Sequence, residues 1–179
     1  MAELRARPDL ALSLNVSPAS TIDPDWWGAL DAHLRGHAGI GERLIIEITE
    51  MAAIQDVDDA RGFVNRVKDL GCRIAIDDFG AGYTSFRSLR KLDVDMIKID
   101  GAFVQCLARS ADDQAFVRTM IGLARALKLA TVAERVQDEA AAAMLAEWGC
   151  DYLQGELVGQ ATIERPGAPG RITADAASA

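Results

Sequence analysis

The sequence predicts an α/β fold in which a mainly parallel sheet curls into a barrel, and three observations lead there. Short apolar runs alternate with amphipathic, helix-period stretches joined by short connections, the pattern of successive βα units. Within these runs, one side-chain face is apolar while the other carries polar or charged groups toward the C-terminal end. The 179 residues, half of them hydrophobic, suffice for one domain with a real core and are too few for two. A barrel whose strands each deliver a functional side chain to one rim has this signature.

The elements follow in order. The run 11–17 (ALSLNVS) places Ser13, Asn15 and Ser17 on one face and Leu12, Leu14 and Val16 on the other. Asp23 is suited to N-cap a helix that Pro24 opens. In 43–49 (RLIIEIT), Leu44, Ile46 and Ile48 form the apolar face and Glu47 opposes them. Ala60, Val64, Val67 and Leu70 then recur at helical spacing. Next comes 73–77 (RIAID), with Ile74 and Ile76 opposite Ala75 and Asp77. In 95–100 (DMIKID), Ile97 and Ile99 oppose Met96, Lys98 and Asp100. Phe116, Met120, Leu123 and Leu127 make the next helical stripe, ahead of 129–134 (LATVAE), where Thr131 and Ala133 oppose Ala130, Val132 and Glu134. A helix carrying Leu145 and Trp148 precedes the last run, 152–155 (YLQG). The expected division is an extension at 1–9, the barrel at 10–160, and a loose Pro-, Gly- and Ala-rich tail at 161–179.

Composition narrows the function. A net charge of −8 argues against a broad phosphate-gripping surface, so nucleic acid as a bulk partner is not expected. Cys72, Cys106 and Cys150 are odd in number and form no CxxC pair, which suits reduced core thiols rather than a disulfide frame. No apolar run approaches membrane-spanning length and the N-terminus has no signal-peptide core, so a cytoplasmic protein is expected. His33 and His37 stand four apart, but Gly36 lies between them at a helix end and solvated histidines are expected. Trp26 and Trp27 are expected to pack on the barrel, and Arg87, Arg90 and Lys91 to form an exposed face.

The strand ends bring together Asn15, Glu47, Asp77, Asp78, Lys98, Glu134 and Gln154. Carboxylates and amides dominate, with no histidine or thiol, and such oxygen donors suit Mg²⁺ or Mn²⁺ rather than zinc. Divalent cations would also explain why Asp77 and Asp78 stand side by side despite their mutual repulsion. Two ions roughly 3.5–4 Å apart are the usual apparatus for phosphodiester hydrolysis. Lys98 could then hold a phosphate oxygen or the attacking water, and Glu134 could accept a proton.

The ordered motifs NVS (15–17), EITE (47–50), DDFGAGYTSF (77–86), KLDVDMIKID (91–100), AERV (133–136) and QG (154–155) closely resemble the signature of EAL domains, bacterial cyclic di-GMP phosphodiesterases. The resemblance implies a TIM-type (β/α) barrel and hydrolysis of cyclic di-GMP to linear pGpG with two Mg²⁺ or Mn²⁺ ions. It implies metal ligation by Asn15, Glu47, Asp77 and Asp78. It places Lys98 beside the attacking water and the scissile phosphate, Glu134 as general base, and Gln154 as the group orienting the water. Glu50 resembles the glutamate that steadies the loop after Asp78. That loop, 79–86, is linked in the family to metal binding and to dimerisation, so a homodimer through it is expected.

Several features depart from the family pattern. The resemblance starts at the family's third strand, so the expected barrel is incomplete, with about six of eight strands and without the Glu-Ala-Leu strand. Weak or no activity and uncovered edge strands are therefore expected of these residues alone. AERVQ places Arg135 where glycine is common and Gln137 where a second glutamate is expected. After QG, ELVGQA replaces the usual ending. The alternative reading is a degenerate, non-catalytic receptor for cyclic di-GMP or a protein-interaction module.

Overall fold

The computed structural model describes residues 2–37, 39–55, 57–82 and 89–159. The expected tail at 161–179, Arg87, and positions 83–86 of the 79–86 loop lie outside the described residues. Helix α1 (Ala2–Ala6) leads into β1 (Leu12–Asn15), α2 (Pro18–Thr21) and α3 (Pro24–Leu34). Strand β2 (Leu44–Thr49) is followed by α4 (Glu50–Gln55), α5 (Val57–Asp69) and β3 (Arg73–Phe79). Strand β4 (Met96–Ile99) precedes α6 (Gly101–Val104) and α7 (Ala111–Ala126), and β5 (Ala130–Ala133) precedes α8 (Glu139–Trp148) and β6 (Tyr152–Leu153).

The six strands are all parallel, and each is hydrogen-bonded to the next in sequence order. The sheet curls into a partial TIM-type barrel, as the strand alternation predicts. Leu44, Ile46, Ile48, Ile74, Ile76, Ile97, Ile99 and Ala133 face outward into the main core against the helices. On the inner face Ala75, Met96 and Val132 form a second, smaller cluster with Ile45 and Ala130. Strand period two therefore sorts core residues to one side and the polar positions Asn15, Glu47, Asp77 and Lys98 to the other.

The caps follow from local chemistry. Asp23 accepts from the Asp25 amide with Pro24 in the first turn. Asp100, Ser110 and Asp138 cap α6, α7 and α8 in the same way. Asp95 and Asp151 do a related job for strands. Asp95, just ahead of β4, accepts from the Ile74 amide of β3 at 2.8 Å and pairs with Lys68. Asp151, just ahead of β6, accepts from the Thr131 amide and hydroxyl of β5 at 2.8 and 2.9 Å. Each aspartate thus ties one strand's opening to its neighbour at the end of the sheet opposite the acidic groups.

Residues 2–10 are tied to the barrel through Arg43, whose guanidinium donates to the carbonyls of Leu4, Arg7 and Leu10 at 2.7–3.0 Å. Trp26 and Trp27 pack on Phe63, with the Arg66 guanidinium 3.9 Å from the Trp27 ring, so the tryptophans serve the packing. His33 is exposed and His37 half-buried, and each contacts a backbone carbonyl through Nδ1.

Three expectations are corrected. Strand β3 extends to Phe79 rather than ending at Asp77, while β1 and β6 are shorter than their apolar runs. The buried stripe of α7 is Val117, Met120, Ile121 and Ala124, and Phe116 is 41 % exposed. Two overlapping stripes fit this helix. The two share Met120; the one facing the sheet adds Val117, Ile121 and Ala124, and Phe116 instead packs on Phe103 at 4.6 Å. Of the three free cysteines only Cys72 is fully in the core, and Cys106 is exposed.

Candidate active site

The inner-face polar groups meet at the C-terminal ends of the strands. Lys98 on β4 is 4 % exposed, and its ammonium lies 2.9 Å from Glu47 Oε2 on β2, 2.8 Å from Asp77 Oδ1 on β3 and 2.6 Å from Glu134 Oε1 just after β5. With its amide turned to donate, Asn15 at the end of β1 reaches Glu47 Oε2 and Asp77 Oδ2, both at 3.3 Å. Five strand ends thus contribute to one cluster. Burial works to lower the Lys98 pKa, but bonds to Asp77, Glu134 and Glu47 outweigh it and raise the net value, so the lysine is a fixed cation.

Asp78 joins by a backbone device. Neighbouring residues on a regular strand face opposite ways, which would send Asp78 outward if Asp77 points in. The β3–β4 register shifts between Ile76 and Phe79, and Asp78 takes φ 53°, in the left-handed region. One carboxylate oxygen from each of Asp77, Asp78 and Glu134 then lies within 4.8 Å of the others. Desolvation, Asp77 and Asp100 push the Asp78 carboxyl above its ordinary range, with Lys98 and Arg135 opposing. Burial raises Glu134 as well, opposed by its bond to Lys98. Three acids crowded around one ammonium leave negative charge uncompensated, and the donor set is oxygen alone. That chemistry fits a hard divalent cation.

The supporting groups differ in placement. Glu50, at the start of α4, is 2 % exposed and accepts from the Gly80 and Gly82 amides at 2.9 and 3.0 Å, bracing the turn after Asp78. Gln154 is exposed and borders both an inner cavity of about 270 Å³, with Glu47 and Lys98, and a rim cavity of about 420 Å³, with Glu134. Gly155 beside it takes φ 153°, and a Cβ there would stand 2.3 Å from the Val136 backbone, so the QG turn requires glycine.

One contributor escapes the sequence reading. Arg73 lines the inner cavity, and its buried Nε has no hydrogen-bond partner among the described residues. Its signal was available, because position 73 is in phase with Ala75 and Asp77. Asp100 caps α6 by accepting from the Ala102 amide at 2.9 Å.

The EAL domain family model matches residues 1–161. The chain belongs to the EAL domain family. Over 161 residues it is 35% identical to the cyclic di-GMP phosphodiesterase PdeF of Escherichia coli, covering 89% of this chain and 22% of that protein. It is 41% identical over 117 residues to the bifunctional diguanylate cyclase/cyclic di-GMP phosphodiesterase MucR of Pseudomonas aeruginosa, covering 65% of this chain and 17% of the relative. The chain therefore spans about a fifth of the length of these curated relatives.

Solved EAL structures superpose on the same frame. The MucR phosphodiesterase in complex with c-di-GMP gives a TM-score of 0.82 at 34% identity, over 89% of this chain and 65% of that one. The FimX EAL domain of Pseudomonas aeruginosa bound to c-di-GMP gives 0.74 at 29% identity, over 82% and 60%. Within this EAL domain the acidic cluster sits at the strand C-termini, the face on which barrel enzymes carry their sites. Among the described residues no helix is long and apolar enough to cross a membrane.

Proposed function

We propose that this chain is the catalytic part of a metal-dependent phosphodiesterase that hydrolyses cyclic di-GMP to linear pGpG. The observation that carries the reading is the convergence of Glu47, Asp77 and Glu134, from three strands, on the Lys98 ammonium within 2.6–2.9 Å, with Asp78 beside them. Asn15, Glu47, Asp77 and Asp78 would hold the cations, Mg²⁺ or Mn²⁺. When bound, these supply charge that offsets the phosphodiester's own and polarise its phosphoryl oxygen.

The chain's own groups do the rest. Lys98 stays protonated, so it donates to a phosphate oxygen or to the water that attacks and does not serve as base. Glu134 takes the water's proton as the oxygen bonds to phosphorus and the bond to the ribose oxygen breaks. Gln154 orients that water from the neighbouring wall. Glu50 acts at one remove by fixing the Gly80–Gly82 turn that carries Asp78. The domain division at 10–160, the cytoplasmic setting and a homodimer through the 79–86 loop are part of the same proposal.

The test is direct. The chain is incubated with cyclic di-GMP and Mg²⁺ or Mn²⁺ and the linear dinucleotide is followed by chromatography; binding is measured calorimetrically with Ca²⁺. Turnover that Asp77→Asn abolishes supports the enzyme. Weak turnover is the expectation for these residues alone; binding with none supports the receptor reading, and a folded chain that does neither leaves only the interaction module.

A further inference from the structure

Arg135 is an anomaly in this rim. It follows Glu134 directly, and its backbone holds φ 50°, a conformation unfavourable for any residue with a Cβ. Its stem lies flat on Gly101, where an added Cβ would come within 2.4–2.7 Å of the Arg135 Cβ, Cγ and Cδ. Glycine at 101 therefore leaves a slot that the arginine fills. The exposed side chain borders two cavities at once. One, of about 420 Å³, contains Glu134, Gln154 and Glu156; the other, of about 460 Å³, contains Asp78, Glu50 and Asp100. Among the described residues lining these two cavities, Arg135 is the single cation, and every other charged group there is acidic.

We propose that Arg135 is a ligand-binding residue whose guanidinium grips a phosphate of the cyclic dinucleotide across the rim, the contact for which its slot on Gly101 positions it. The proposal rests on the cyclic di-GMP reading above. Lys98 cannot take this role for both phosphates, since its ammonium is already shared among Glu47, Asp77 and Glu134. A ligand carrying two phosphodiesters must enter a rim of Asp78, Asp100, Glu134 and Glu156 in a chain of net charge −8. A guanidinium suits the task, with a planar fork of donors matched to phosphate oxygens.

Three versions of the full chain are titrated calorimetrically with cyclic di-GMP in Ca²⁺: wild type, Arg135→Gly and Arg135→Lys. Arg135→Gly removes the charge but also relieves the left-handed backbone, so its melting temperature should equal or exceed that of wild type. Its affinity should nevertheless fall roughly tenfold at low salt. The difference from wild type should narrow as salt rises, and Arg135→Lys should retain part of the binding. A purely structural arginine would instead lose stability and binding together, and that result overturns the proposal. Unchanged affinity in Arg135→Gly overturns it too, leaving the cyclic di-GMP reading intact. Failure of the folded wild type to bind overturns the reading and this inference with it.

Discussion

Lys98 shows how one residue can set the character of a site. Removing it leaves Glu47, Asp77 and Glu134 crowded without their ammonium, and unpaired buried charge is expensive. Lys98→Met should destabilise the chain by about 3 kcal/mol in urea unfolding without divalent ions. Mn²⁺ should recover more stability in this variant than in wild type, while turnover stays lost. Cys72 makes a quieter point about burial, which pushes its thiol up to about 11 from 9.0. The folded state keeps the proton while the unfolded chain gives it up, so this contribution is intact below pH 9 and disappears as pH climbs toward 11. Unfolding curves across that window should fall more steeply for wild type than for Cys72→Ala, by roughly 3 kcal/mol in total. At this scale the sequence was readable where period two applies. Asn15, Glu47, Asp77 and Lys98 were placed on the inner face by alternation alone. Asp78 was not, because a left-handed residue breaks the alternation and nothing in its side chain announces that. The slot between Gly101 and Arg135 was equally hidden, since it joins a helix start to a loop 34 positions away.

Elements are held by devices that repeat along the sheet. Asp95 and Asp151 each accept from the strand before their own, satisfying an opening amide that lacks a neighbour's carbonyl. Asp151→Ala strands the Thr131 amide and removes the acceptor of its hydroxyl proton, and should cost about 1–3 kcal/mol in thermal or urea unfolding. Since Asp151 lies at the end of the sheet away from the acidic cluster, metal affinity measured by calorimetry should not change. The strands themselves were legible as apolar runs bounded by turn residues. Helix α7 was only partly so: its sequence offers two stripes, and choosing Val117, Met120, Ile121 and Ala124 over the larger side chains depends on the sheet beneath. No local pattern contains that information.

For the whole molecule the dominant fact is an acidic chain that gathers one cluster of carboxylates at the C-terminal end of the barrel strands. Any divalent cation held there binds the folded state and not the unfolded one, so its affinity becomes stability. At a hundredfold excess over its dissociation constant, Mn²⁺ should raise unfolding free energy by about 2.7 kcal/mol. A thermal-shift titration checks this, and Asp77→Asn should flatten the response. Fold class was the most legible level of all, because apolar strand-type runs and helix-period runs alternate along the sequence, and each strand pairs with its successor.

The kink at Asp78 separates two properties that usually change together. Glycine or asparagine at 78 can keep the reversed backbone while discarding the carboxylate, whereas valine would oppose the turn as well. Position 78 therefore allows anion and architecture to be edited one at a time, and a chain that tolerates glycine there but rejects valine would reveal which of the two its neighbours depend on.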